Sequence, residues 1–264
     1  MLKVIQTVCG TVGCFLLAFA SCSAPTFQAS AASSDAASDD SDVDGGFVVV
    51  AQDSFARTIT RGWGAADVGG SWSLAATPSF ADGTVGHLVA PTANSGSAAR
   101  LLSTSALDVD AQVVIGVDKA GSGTGIGHWA FIVVRRTSDG NEYKGRIEFY
   151  PSNQIMVSAV RTLSGVDSLL SDDVPVPGLT YAAGARYILR VNVAGSAPST
   201  LRIKAWREGA PEPATWSVTA DDSSPQMQTQ GSVGLGAYVG QNATDVPVSF
   251  SFDDFVARSA SHGN

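Results

Sequence analysis

The chain has 264 residues, with 16 Lys and Arg against 24 Asp and Glu, a net charge of −8 and only 15% charged side chains. That balance excludes a nucleic-acid partner, which needs a basic field to neutralise phosphates, and counts slightly against anionic polysaccharides. The length suits one large all-β domain, which runs to ~250 residues, or two small domains.

Residues 1–22 carry Lys3 and an apolar run, VIQTVCGTVGCFLLAFA, that ends in small residues and Cys22. This is the pattern of a secretory signal, too short and wrongly flanked for a transmembrane span. The ending FASC resembles a bacterial lipobox, which implies lipidation of Cys22 and attachment to the outer face of the cell membrane. The alternative is plain secretion, for instance with cleavage after Ala31. Membrane contact is expected only through that lipid anchor. The three cysteines, Cys9, Cys14 and Cys22, all lie in this leader. The chain beyond Cys22 therefore has no disulfide, thiol nucleophile or cysteine metal site. Residues 23–46, SAPTFQASAASSDAASDDSDVDGG, have too few large apolar groups to offset chain entropy and read as a disordered tether.

From Phe47 the chain turns to short apolar/polar alternations separated by turn residues. FVVVAQDSF comes first, followed by AQVVIGVD (111–118), HWAFIVVRR (128–136), EYKGRIEFY (142–150) and QIMVSAVR (154–161). ARYILRVNVAG (185–195), TLRIKAWRE (200–208), GSVGLGAYVG (231–240) and VSFSFDDFVAR (248–258) complete the series. Alternation marks strands with one buried face, and SDG, PSN, GSAPS and EGAPEPA between them are turn chemistry. No window of helical length shows a 3.6 period. Regularly spaced short strands predict an antiparallel β-sandwich or barrel, a single domain over residues 47–258 with a tail at 259–264.

Three segments resemble a known module. They are DSFARTITRGWGAADVGGSWS at the start, GSAPSTLRIKAWREGAPEPATWSV in the middle, and GSVGLGAYVG followed by VSFSFDDFVAR at the end. Together they resemble a concanavalin A/laminin-G type jelly roll found in exported actinobacterial proteins and some phage tail proteins. The resemblance covers roughly residues 50–258 and implies an all-β antiparallel sandwich. It leaves function open, because this fold hosts lectins, glycosidases, lyases and adhesive modules. Trp63 and Trp72, cushioned by Gly62, Gly64, Gly69 and Gly70, are expected as plugs at an end of the core rather than as a sugar platform, and Trp216 likewise.

Glycosidases on this fold carry carboxylates along one strand in a pattern like E-x-D-x-x-E. The nearest match, Glu142 to Glu148, has Lys144 and Arg146 between the acids. At about 3.3 Å per residue the two glutamates are roughly 20 Å apart, against about 5.5 Å for a retaining pair and up to about 9.5 Å for an inverting one. Lyases on similar sandwiches use Arg, Gln, His and Tyr; Arg146, Gln154, His128 and Tyr150 match by type alone. KAGSGTGIGH lacks the third glycine of a dinucleotide loop and precedes a strand, so it reads as a hairpin or loop. No histidine pair has zinc spacing.

By strand parity Arg146, Glu148, Tyr150, Arg190, Asn192, Lys204 and Trp206 point outward. If their strands share a sheet they form one patch of planar hydrogen-bonders and rings suited to sugar; the alternative is a solvated face laced with cross-strand ion pairs. The resemblance further implies a structural Ca²⁺ where first and last strands pair, with Asp254 as ligand and Asp53 as the second. The alternative is two exposed aspartates that blunt sheet edges. The reading is a non-catalytic exported module that binds carbohydrate or another cell-surface partner. A polysaccharide lyase or glycoside hydrolase with an atypical site, or a purely structural or adhesive protein, are the alternatives.

Overall fold

A computed structural model describes residues 46–74, 78–125 and 127–260. The leader with Cys22, the expected tether up to residue 45 and the tail beyond Ala260 lie outside the described residues.

In chain order the strands begin with β1 (Phe47–Asp53), β2 (Thr58–Ile59), β3 (Ser73–Leu74), β4 (Ser79–Asp82), β5 (Gly86–Ala90) and β6 (Ser95–Ala106). They continue with β7 (Val109–Val117), β8 (His128–Arg136), β9 (Glu142–Phe149), β10 (Gln154–Leu163), β11 (Val166–Leu169) and β12 (Val174–Thr180). The last are β13 (Arg186–Ala194), β14 (Ser199–Arg207), β15 (Val218–Asp222), β16 (Gly231–Val239) and β17 (Val248–Ala260). Among the described residues they form two antiparallel sheets. The first runs β15-β14-β13-β7-β17-β5-β4-β2, with β1 also on β17; the second runs β11-β10-β9-β8-β16-β6-β3, with β12 also on β10. The fold is thus the two-sheet sandwich expected, and its last strand extends two residues into the expected tail.

Alternation sets the inner faces. On β13, Tyr187, Leu189, Val191 and Val193 are buried, and on β9, Tyr143, Ile147 and Phe149 are buried beside them. Gly145 lets these layers meet, since a Cβ there would touch Val191 and lie 3.0 Å from Ile203 Cγ1. The core is apolar and contiguous, which a chain without disulfides here requires.

Trp63 and Trp72 are core plugs. They are 0% and 7% exposed and pack edge-to-face at 5.1 Å, with Phe55, Phe252 and Phe255 around them. Both indole N–H groups are satisfied, Trp63 by the His87 carbonyl at 3.0 Å and Trp72 by Asp53 Oδ2 at 2.6 Å, as buried indoles require. Trp216 differs from the expectation: half-buried, it lies on the outer face of the first sheet over Lys204 and Arg190, at 4.6 and 5.7 Å.

Candidate functional site

The expected single patch divides between the two sheets. Arg146 and Glu148 lie on β9, with Tyr150 just beyond it, in the second sheet. Arg190, Asn192, Lys204 and Trp206 lie on β13 and β14, in the first. The reason is pairing: β13 and β14 form a hairpin docked on β7, not on β9 or β10. The outward parity holds, but the outward faces are on opposite sides of the sandwich.

On the first sheet these groups are engaged with one another. Arg190 forks onto Asp110 at 2.8 and 2.9 Å and reaches Glu212 at 2.6 Å. Asn192 accepts from Arg202 and donates to Asp110. Lys204 donates to the Pro213 carbonyl at 2.7 Å and pairs with Glu212 at 2.8 Å. Trp206 is 7% exposed. The segment between β14 and β15 therefore folds back onto this face through Glu212, Pro213 and Trp216, which takes Arg190, Lys204 and Trp206 out of contention as a sugar platform.

The calcium expectation meets a different chemistry. Asp53 is fully buried. Its Oδ1 accepts from the Phe55 amide and Arg57, and its Oδ2 from Arg57 and Trp72, all at 2.6–2.8 Å. The guanidinium neutralises the carboxylate and the donors fill its lone pairs, so a cation does not fit there. Asp254 is exposed, at φ 46° in the bulge where β17 shifts register against β7. No group of three or more His, Asp or Glu with metal-binding geometry occurs among the described residues.

The second sheet carries a denser constellation. Arg146 donates to Ser158 Oγ at 3.0 Å and lies 2.9 Å from Glu148 Oε1 and 3.3 Å from Asp173 Oδ1. The Tyr150 hydroxyl donates to Asp173 Oδ2 at 3.1 Å, and Ser158 donates to Glu148 Oε1 at 2.8 Å. Glu148 is fully buried, and its Oε2 has no hydrogen-bond partner among the described residues. Burial raises the pKa of Glu148 to about 7 against the pull of Arg146, and Asp173 adds to the rise. Burial, with Glu148 and Asp173 alongside, also pushes the Tyr150 hydroxyl up, so it remains a donor. Glu142, at the other end of β9, is clamped by Arg100, Arg136 and Lys144. His128 points the other way, into the core against Phe250, so the four lyase-type residues do not converge.

Beside Glu148 the same outer face opens into a cleft. Trp129 on β8 stands directly across from Glu148 and from Tyr238 on β16. The Trp129 and Tyr238 rings stack at 4.6 Å, and the Arg146 guanidinium lies 5.7 Å from the Trp129 ring centre. Next to the rings is a cavity of about 300 Å³ lined by Asn94, Thr124, Gln241, Asn242 and the backbone of Gly125 and Gly240. Its walls are fixed. The Tyr238 hydroxyl donates to Asn94 Oδ1 at 2.5 Å, and Lys119 Nζ donates to the carbonyls of Asp245, at 2.8 Å, and Pro247. Gly123, at φ 73°, lies so close to the Asn242 carbonyl that no Cβ would fit, which is what the glycine run KAGSGTGIGH provides. Trp129 and Tyr238 were legible as outward residues in HWAFIVVRR and GSVGLGAYVG. Only the pairing of β8 with β16 shows them as neighbours.

No protein-family model matches the sequence, and no curated protein matches it. Solved structures do match. The CBM2 module of an evolved Dit from Lactobacillus casei BL23 phage J-1 has TM-score 0.51 and 10% identity, covering 83% of this chain and 98% of that one. The metal-free Emp46p carbohydrate recognition domain has TM-score 0.48 and 11% identity, over 70% and 87% of the two chains. Xylan beta-1,4-xylosidase from Bacillus halodurans C-125 has TM-score 0.42 and 13% identity over 66% of this chain, which spans 33% of that enzyme's length. At such identities the likeness is one of fold, that of the concanavalin A-like jelly roll.

Proposed function

We propose that this chain is an exported, surface-anchored jelly-roll module that binds carbohydrate, without bond-breaking chemistry, in the cleft beside Trp129 and Tyr238. The observation that supports this reading is the composition of the cleft. Two aromatic rings stand beside amides and hydroxyls, and the described lining holds no Asp, Glu, Lys, Arg or His. Rings stack on the C–H faces of sugars, and neutral donors and acceptors match hydroxyls. The carboxylates nearby favour binding over hydrolysis, since Glu142 is held by three cations and Glu148 has no exposed surface. Anchoring through Cys22 belongs to the same reading and rests on the lipobox-like FASC.

A glycan array probed with the full chain, followed by titration of the best neutral oligosaccharide, tests it. Trp129→Ala is expected to weaken binding about tenfold or more, as loss of an aromatic anchor does, with the melting temperature little changed. Release of reducing ends from the bound glycan, or wild-type affinity in a folded Trp129→Ala variant, would overturn it.

A further inference from the structure

Arg146 and Tyr150 hold a carboxylate. Both donate to Asp173, one to each oxygen, at 3.3 and 3.1 Å. The geometry is that of a planar guanidinium and a phenol receiving an acid. The acid comes from the short link between β11 and β12, which runs along the edge of β10 and sends Asp173 over to Arg146 and Tyr150. Leu170 donates to the Ala159 carbonyl at 2.8 Å and Ser171 accepts from the Ala159 amide at 3.0 Å. Asp173 itself is 20% exposed, so its carboxylate sits at the mouth of the clamp rather than beneath it.

A second observation points into the same place. Glu148 Oε2 is buried and without a partner, and an orphaned carboxyl oxygen in a dry site is costly. Burial, with Asp173 adding to it, favours the protonated acid. Through its other oxygen Glu148 lies 2.9 Å from Arg146 and accepts from Ser158, so it braces the guanidinium from beneath. Arg146 also lies on Trp129, so the clamp and the sugar cleft share that ring.

We propose that Arg146 and Tyr150, backed by Glu148, form a binding site for the carboxylate of an acidic sugar, and that Asp173 fills it in the free chain as an internal mimic. The ligand class is a hexuronate-containing oligosaccharide whose neutral part enters the Trp129 cleft; this assignment rests on the glycan reading of that cleft. The chain's overall negative charge opposes anionic ligands at long range. The effect is screened beyond about 8 Å at physiological salt and does not govern a paired, desolvated contact. An acidic peptide offers the same carboxylate but has no use for amides and hydroxyls arrayed beside a ring, so the sugar acid is the better match.

The test titrates a hexuronate tetrasaccharide, its neutral hexose counterpart and a glutamate-containing tripeptide against the full chain. Removing an internal competitor raises apparent affinity by the inverse of the fraction of sites it had left open, about tenfold where about nine in ten were blocked. Asp173→Ala is therefore expected to bind the hexuronate about tenfold more tightly than wild type, with neutral-sugar affinity unchanged. Arg146→Gln in the Asp173→Ala background is expected to remove the gain. Asp173→Asn, which keeps volume and an acceptor while losing charge, gives the same direction if Asp173→Ala fails to fold. The proposal is overturned if folded Asp173 variants gain nothing for hexuronate over the neutral sugar, or if the tripeptide gains instead. Loss of neutral-sugar binding in Trp129→Ala reports separately on the cleft, so a failure of the clamp and a failure of the cleft are told apart.

Discussion

At the scale of single residues, two acids are handled in opposite ways. Asp53 is buried against Arg57, which neutralises it; Glu148 is buried with one oxygen unmet. Arg57→Met would strand the Asp53 charge, and losing one partner of a buried pair costs about 3–5 kcal/mol. Urea melts of the variant should show that loss, while adding Ca²⁺ or a chelator should leave the wild-type melting temperature where it is. For Glu148 the sign follows from its raised pKa. The folded state holds the proton more tightly than the unfolded chain, whose value is near 4.5. Its contribution is therefore fully present below about 4.5 and lost as pH rises through about 7. Glu148→Gln, neutral throughout, should remove that part of the slope, so the gap between variant and wild-type melting temperatures should widen in the variant's favour across this window. A gap that stays constant would refute the assignment. Asp53 was read as a calcium ligand or an exposed edge acid, and it is neither: it is buried against Arg57 and Trp72. Its partner was not legible, because Arg57 lies four residues on in a turn, where that spacing carries no helical meaning.

Among elements, what alternation encodes was readable and what pairing encodes was not. The runs at residues 111–118, 128–136, 142–150 and 185–195 all became strands, and those at 142–150 and 185–195 turn the expected faces inward. β6 escaped notice because SGSAARLLSTSA is mostly small and polar, and its twelve residues are held as strand by β16 and β3 on either side, a case of context overriding propensity. Sheet membership escaped for a different reason: β7 meets β13 and β8 meets β16 across long stretches of chain, and no local pattern records such partners. The inward glycine of β9 tests the packing itself. Gly145→Ala would press a methyl into Val191 and Ile203 on the facing sheet, an overpacking expected to cost about 1–3 kcal/mol. Thermal or urea denaturation measures it, and a neutral result would mean that the layers part more easily than their contact implies.

For the molecule as a whole, stability rests on the core, and attachment is proposed to rest on Cys22, ahead of the described residues. Cys22→Ala is expected to shift the protein from the membrane fraction to the medium or to block its processing; equal soluble release of wild type and variant would remove the anchor from the account. Within the domain, the pairing of β1 with β17 sets the first described strand apart from the cleft. Phe47 lies opposite Ala260, so the chain enters the sandwich where its last strand finishes. The cleft proposed for sugar is walled by residues 240–242, ahead of the start of that strand at Val248. Thirteen residues of β17 separate the two, roughly 35–40 Å at strand spacing. The chain therefore enters the sandwich at the end of β17 far from the cleft, and a ligand held between Trp129 and Asn242 stands clear of Phe47.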